Sequence, residues 1–193
     1  MMRRAFFIVL TITFLTGCTS MKPEDFAGKE PRFQIESYFE GRTKAWGIFQ
    51  DRFGKLRRQF QVEIEGTWDG KLLTLVEDFV YDDGEREQRI WRIRKTGEHA
   101  YEGEADGVIG TAKGRAYGNA LNWRYDFDLK VGDSSWRVTF DDWLFLMEDG
   151  IVINRAEVTK FGIQIGEVTL FFRKPTTAQE ASAKSPTAPI ARN

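Results

Sequence analysis

The amino-acid sequence predicts an all-β fold, a single antiparallel up-and-down β-barrel of about ten strands. Apolar and polar residues alternate with a period of two over residues 56–68 and again over residues 121–131, which is typical of strands with one buried and one wet face. Nine turn signals separate such runs, and nine turns imply ten strands. The turn signals lie at residues 53–54, 69–70, 83–84, 96–97, 107–110, 118–119, 132–133, 149–150 and 161–162.

The order of these strands favours closure. Consecutive hairpins without a long crossover segment form a meander, and a ten-stranded meander hides its edges completely only when it closes into a barrel. Such a barrel is lipocalin-like in architecture and has room for side chains and one small apolar ligand. A β-sandwich is the alternative.

The N-terminus has the features of a bacterial lipoprotein precursor. Two arginines, Arg3 and Arg4, precede an apolar run over residues 5–16, which has the length of a signal-peptide core and is short for a membrane-spanning helix. The run ends at Gly17-Cys18, which resembles a lipobox. Residues 1–17 are therefore predicted to be a signal peptide, and the resemblance implies cleavage before Cys18 and acylation of that residue. The alternative is an ordinary signal peptide with an incidental cysteine.

Three further zones follow the signal peptide. Residues 18–31 are predicted to be the lipidated N-terminus and a polar linker, residues 32–174 the β-barrel domain, and residues 175–193 a disordered tail rich in Ala, Thr, Ser and Pro. Thr19 stands where an aspartate would signal retention at the inner membrane. The predicted location is therefore the periplasmic side of the outer membrane, with the membrane as partner through the lipid anchor.

Composition excludes several classes of protein. Cys18 is the only cysteine, so the domain forms no internal disulfide and depends on its core for stability. Removal of residues 1–17 leaves 26 basic against 29 acidic side chains, a net charge of about −3. Both signs are mixed along the chain, whereas a nucleic-acid partner requires a clustered basic face.

Short segments spread over nearly the whole domain carry a family resemblance. They are residues 38–41 (YFEG), 45–52 (AWGIFQDR), 77–79 (EDF), 83–85 (DGE), 89–91 (RIW), 117–119 (YGN), 141–143 (DDW), 154–156 (NRA) and 160–162 (KFG). Together they resemble a family of proteobacterial lipoproteins that carry a domain of unknown function. Genes of that family often lie near those of enzymes that modify membrane fatty acids, so the resemblance implies a lipid-related role.

Catalytic and metal-binding chemistry find little support. His99 is the only histidine, which excludes a multi-histidine metal site. It is predicted to be a solvated loop residue. Cys18 is consumed by acylation, and Asp82 and Asp83 lie in a turn, where aspartate commonly has a structural role. The glycines form no phosphate-binding motif. We therefore expect neither a metal, a cofactor nor an enzymatic activity.

Polar residues on otherwise apolar faces are the candidate ligand contacts. A three-residue loop between the strands flanking Gly84 pairs Leu75 with Ile93, Glu77 with Trp91, and Phe79 with Arg89, which places Glu77 and Arg89 diagonally on one inward face. Burying either charge alone is costly, so the two should pair or meet a polar ligand group. The alternatives are a purely structural network or side chains that face water, and a slip of one residue would reverse the faces.

Two inward polar residues and three aromatic residues complete the candidate site. Asp142 continues the face of residues 136, 138 and 140, and Asn154 that of residues 152, 156 and 158. Trp91, Trp123 and Tyr125 are expected to line the apolar part. The small residues at 112, 114, 116 and 118 predict either a cavity beside Trp123 and Tyr125 or a tightly packed core. Two functions follow: a barrel that binds a fatty acid or other lipid, or an envelope assembly protein with a solid core that acts through a protein partner.

Overall fold

The structure is a computed structural model that describes residues 20–132 and 134–175. Ten strands and three short helical segments make up this part of the chain. The strands are β1 (Gly41–Asp51), β2 (Leu56–Trp68), β3 (Leu72–Tyr81), β4 (Arg86–Lys95), β5 (Ala100–Glu104), β6 (Val108–Tyr117), β7 (Ala120–Val131), β8 (Ser134–Leu146), β9 (Val152–Lys160) and β10 (Ile163–Arg173). The helical segments are α1 (Ile35–Phe39) and two 3-10 turns, Pro23–Phe26 and Glu148–Gly150.

The sheet is a closed antiparallel barrel in which every strand pairs with its neighbours along the chain. The first and last strands complete the ring through a register that runs from Lys44 opposite Arg173 to Asp51 opposite Gly166. The predicted ten-stranded up-and-down barrel is therefore confirmed over the β-sandwich. The buried core residues fall between Phe33 and Phe172, so a chain that begins at Ser20 contains the whole described fold.

The hairpin between β3 and β4 shows how local sequence sets the register. The Tyr81 N–H donates to the Glu85 carbonyl at 3.0 Å, and Gly84 adopts a φ of 86°, which glycine tolerates best. The loop therefore contains residues 82–84, one position earlier than predicted. As a result the predicted pairs were wrong by two residues: Glu77 lies directly opposite Arg89.

The same shift changes the other two pairs of that hairpin. Leu75 lies opposite Trp91 rather than Ile93, and Phe79 lies opposite Glu87 rather than Arg89. A shift of two residues keeps each side chain on its original face, because faces alternate with a period of two. The prediction that Glu77 and Arg89 share the inward face is thus confirmed.

Helix α1 closes one end of the barrel. Its residues Ile35, Tyr38 and Phe39 are buried, and the Phe39 carbonyl approaches β2 so closely that a Cβ at Gly66 would stand 1.8 Å from its oxygen. Only glycine fits this contact. The sequence pattern did not predict α1, which at five residues is too short to show a helical period.

The segment expected to serve as a linker lies against the barrel near the end that α1 closes. The Phe26 ring packs on Trp143 and Phe145, with centroids 5.8 and 5.5 Å away, and Glu24 forms an ion pair with Arg115 at 2.7 Å. The predicted signal peptide, Cys18 and the part of the predicted tail beyond Pro175 lie outside the described residues. No helix in the described part of the chain is long and apolar enough to cross a bilayer.

Candidate functional site

The barrel interior has buried side chains towards both ends and partly exposed ones between them. Towards α1 the inward side chains are buried, among them Leu75 on β3, Trp91 on β4 and Trp123 on β7. One inward position farther along the same strands, Glu77, Arg89 and Tyr125 retain part of their accessible surface although they point into the lumen. Farther from α1, the second core cluster of Phe127, Val138 and Val158 is buried again, so the partly exposed residues form a middle layer of the lumen.

A group of polar side chains points into the lumen, and we call this group the interior polar cluster. Strands on opposite sides of the ring supply it, so its charges meet across the lumen rather than along one strand. Its members are Glu77, Glu87, Arg89, Tyr125, Asp142 and Asn154.

Arg89 is the one cation in the interior polar cluster. Its Nη2 donates to Glu87 Oε1 at 2.6 Å, and its guanidinium lies over the rings of Phe79 and Phe127 at 5.1 and 4.7 Å from their centroids. Its Nε is buried without a hydrogen-bond partner among the described residues. The ion pair to Glu87 was missed from the sequence, although alternation along β4 places residues 87 and 89 on the same face.

Asp142 and Asn154 meet on the opposite wall. Asn154 is 2 % exposed, and its amide donates to Asp142 Oδ1 at 3.0 Å. The Tyr125 hydroxyl also interacts with this carboxyl group, but Oδ2 has no partner in hydrogen-bond geometry within the described chain. Asp142 thus presents one unsatisfied oxygen towards the lumen.

Burial dominates the electrostatics of the two central carboxyl groups. It raises the pKa of Glu77 to about 7, with Arg89 opposing the rise and Glu87 and Asp142 adding to it. It likewise raises the pKa of Asp142 to about 7, against the hydrogen bond from Asn154. Near neutral pH each of the two carboxyl groups is therefore partly protonated. The protonated form can donate a hydrogen bond, and the ionised form can only accept one.

Aromatic rings line the space between the polar groups. Tyr125 stacks on Phe140 with centroids 5.1 Å apart and meets Trp91 edge-on at 5.2 Å. Trp91 in turn contacts Trp123 at 5.7 Å. All three predicted aromatic residues point inward, as expected, and Tyr125 is the one that borders the polar groups directly.

The small-residue face is packed rather than empty where it meets Trp123. A Cβ at Gly114 would stand 2.3 Å from the indole ring, and one at Gly103 would stand 2.7 Å from it. Of the two alternatives for this face, the tightly packed core is the one found beside Trp123, because the indole fills the space. Gly118 is not part of this inward face, since it lies in the turn after β6.

His99 and Asp141 lie outside the lumen and make contacts on the barrel surface. His99 is not a freely solvated loop residue: its Nδ1 lies 2.8 Å from the Ala116 carbonyl oxygen and its ring stacks on Tyr117 at 3.9 Å. Asp141 faces outward and pairs with Arg124 at 2.8 Å, whereas Asp142 faces inward. No group of three or more potential metal ligands occurs in the described residues.

Fold and site together define a class: small closed up-and-down barrels with a polar cluster inside the lumen. A sequence profile described as "Protein of unknown function (DUF3833)" matches residues 12–174. The chain therefore belongs to the DUF3833 family, which confirms the expected domain of unknown function. No curated protein matches the chain significantly.

Proposed function

We propose that this protein is a lipid-anchored envelope lipoprotein whose barrel binds one fatty acid or related lipid without catalysing a reaction. Its proposed location is the periplasmic face of the outer membrane. The anchoring part is supported by the basic N-terminus, the apolar run over residues 5–16 and the Gly17-Cys18 step. Two or more acyl chains on Cys18 would hold the protein stably at a bilayer.

The binding part of the proposal is carried by one observation. Arg89 Nε and Asp142 Oδ2 are buried in the lumen without hydrogen-bond partners among the described residues. Buried polar atoms are nearly always satisfied in folded proteins, so a pair of orphans in one place points to a missing partner. A protonated lipid carboxyl group has a carbonyl oxygen that can accept from the guanidinium and an O–H that can donate to the Asp142 carboxylate.

The surroundings of these two atoms suit the rest of such a ligand. Tyr125, Phe140 and Leu144 face the lumen beside Asp142 and keep accessible apolar surface. An acyl chain laid against them would leave water, which is the usual source of affinity in apolar pockets with few polar groups. Glu77, Asn154, Trp91 and Trp123 complete the proposed contact set.

A titration with a fatty acid tests the binding proposal. Tryptophan fluorescence of the chain beginning at Ser20 should change saturably, because Trp91 contacts Tyr125 edge-on at the edge of the proposed site. Arg89→Lys removes Nε and should weaken binding about tenfold, the cost of one charge-assisted hydrogen bond. Arg92→Lys is the matched control, since Arg92 lies on the same strand and faces solvent.

The second candidate is an assembly protein with a solid barrel, and the tight packing around Trp123 favours it. Trp123 closes over Gly103 and Gly114 there and leaves no space for a ligand. If the added fatty acid leaves fluorescence and melting temperature unchanged, the binding proposal fails and a protein partner on the outer surface becomes the better explanation.

A further inference from the structure

Large apolar side chains are exposed at the end of the barrel opposite α1. Phe53, in the β1–β2 loop, is 80 % exposed, and Phe161, in the β9–β10 loop, is 92 % exposed. Ile163 follows at 59 %, and Val131 and Trp136 of the β7–β8 hairpin stand at 39 and 38 %. Single exposed apolar residues are ordinary, but five on neighbouring hairpins are not.

These side chains lie on adjacent parts of the ring, which we call the apolar rim. Strand β10 pairs with both β1 and β9, and β9 pairs with β8. The Arg52 N–H donates to the Ile165 carbonyl at 3.0 Å, which joins the first loop to β10. Lys160 lies 3.6 Å from the ring centroid of Trp136, which joins the β9–β10 hairpin to the third.

The conformation of Phe161 has no explanation within the fold. Its φ is 53° and that of Gly162 is 77°, so both turn residues are left-handed, a geometry in which Asn-Gly is favoured and a bulky side chain is unusual. The ring gains almost no burial in return. The exposed ring is therefore available for a contact outside the chain.

Cations accompany the aromatic residues of the rim. Arg52 lies over Phe53 with its guanidinium carbon 4.7 Å from the centroid, and Lys160 lies 5.6 Å from that of Phe161. In the described part of the chain neither cation forms an ion pair, whereas Asp51 beside them is bound by Arg57 at 2.6 Å. Residues 51–57 thus hold three basic side chains against one acidic.

We propose that the apolar rim docks onto the surface of an anionic phospholipid bilayer. Phe53, Phe161 and Ile163 enter the headgroup layer, and Arg52 and Lys160 bind lipid phosphates. Aromatic tips flanked by unpaired cations have the chemistry that interfacial contacts require, since apolar burial and attraction to anionic lipids add. This contact does not depend on a ligand in the lumen. The N-terminal segment packs near the other end of the barrel, so the rim faces away from the bilayer that would hold the anchor and meets a second membrane surface.

Sedimentation with vesicles tests the proposal on the chain beginning at Ser20, which has no lipid anchor. Vesicles of equal parts phosphatidylcholine and phosphatidylglycerol should carry the protein down, and pure phosphatidylcholine vesicles should carry far less. Phe53→Ser with Phe161→Asn should weaken binding at least about tenfold. Phe161→Asn suits the left-handed turn, so this change should not impair folding.

Matched control variants distinguish binding through the apolar rim from non-specific hydrophobic binding to vesicles. Phe171→Asn removes a partly exposed ring on the outer wall of β10 and should leave vesicle binding unchanged. Arg52→Gln with Lys160→Gln should reduce binding and its sensitivity to salt. Equal binding of the rim variant and the original chain would overturn the proposal. So would a dimer in solution that dissociates on Phe161→Asn, since the rim would then contact a second copy.

Discussion

Replacing Glu77 by glutamine should stabilise the protein at alkaline pH and change little in acid. Glutamine mimics the protonated carboxyl group and carries no charge into the lumen. A pKa raised from 4.5 to about 7 makes ionisation cost about 3 kcal/mol more in the folded than in the unfolded chain. Glu77 keeps some accessible surface in the lumen, where water can solvate the charge. We therefore expect Glu77→Gln to raise the free energy of unfolding at alkaline pH by about 1–2 kcal/mol.

The sign of this pH-dependent change in stability follows from comparing how tightly the folded and the unfolded chain hold the Glu77 proton. The folded chain keeps the Glu77 proton more strongly than the unfolded chain, so its contribution to stability is fully present below about pH 4.5 and is lost as the pH rises through about 7. Glu77→Gln removes that loss. At about pH 8 the melting temperature should rise by about 3–6 °C, and at about pH 4 it should stay nearly unchanged.

Thermal unfolding followed by circular dichroism measures both values on the chain beginning at Ser20. Glu102→Gln serves as the control, because Glu102 faces solvent on β5 and such surface changes usually alter stability by less than about 0.5 kcal/mol. An equal shift at both pH values, or a loss of stability at about pH 8, would refute the claim that burial sets the ionisation of Glu77.

Two further predictions concern packing and coupling inside the barrel. Gly114→Ala should destabilise the protein by about 1–3 kcal/mol in chemical denaturation, because the new methyl meets the Trp123 ring; Gly97→Ala, where a Cβ makes an ordinary contact at 3.5 Å, should be tolerated. Glu77→Ala and Arg89→Ala should be non-additive by at least about 0.5 kcal/mol in a double-mutant cycle, since the two charges attract across one strand pair. Strict additivity would show that Arg89 is held by its other neighbours alone.

Strand order and facing could be predicted because both depend on local patterns. Alternation over residues 56–68 and the turn residues at each hairpin indicate ten strands without any knowledge of distant contacts. The inward placement of Asp142 and Asn154 follows from the same parity. The predicted β3–β4 register was wrong because the register depends on whether the loop begins at Asp82 or Asp83, and both aspartates suit a turn.

The partly exposed middle layer of the lumen could not be predicted. It depends on the cap formed by α1 and on which side chains meet across the ring, and neither has a local signal. The filling of the Gly114 face by Trp123 is of this kind, as is the choice of Glu87 over Glu77 as the ion-pair partner of Arg89. Parity predicted the inward members of the interior polar cluster except Glu87, which was missed, and packing decided their partners.

Native mass spectrometry of the chain beginning at Ser20, purified without detergent from cells, tests the central claim most directly. We expect a species heavier than the polypeptide by the mass of one lipid, and expect this species to be much reduced for Arg89→Lys and retained for Arg92→Lys. Only the bare polypeptide mass for all three chains, with and without added fatty acid, would contradict the account of a ligand-binding lumen.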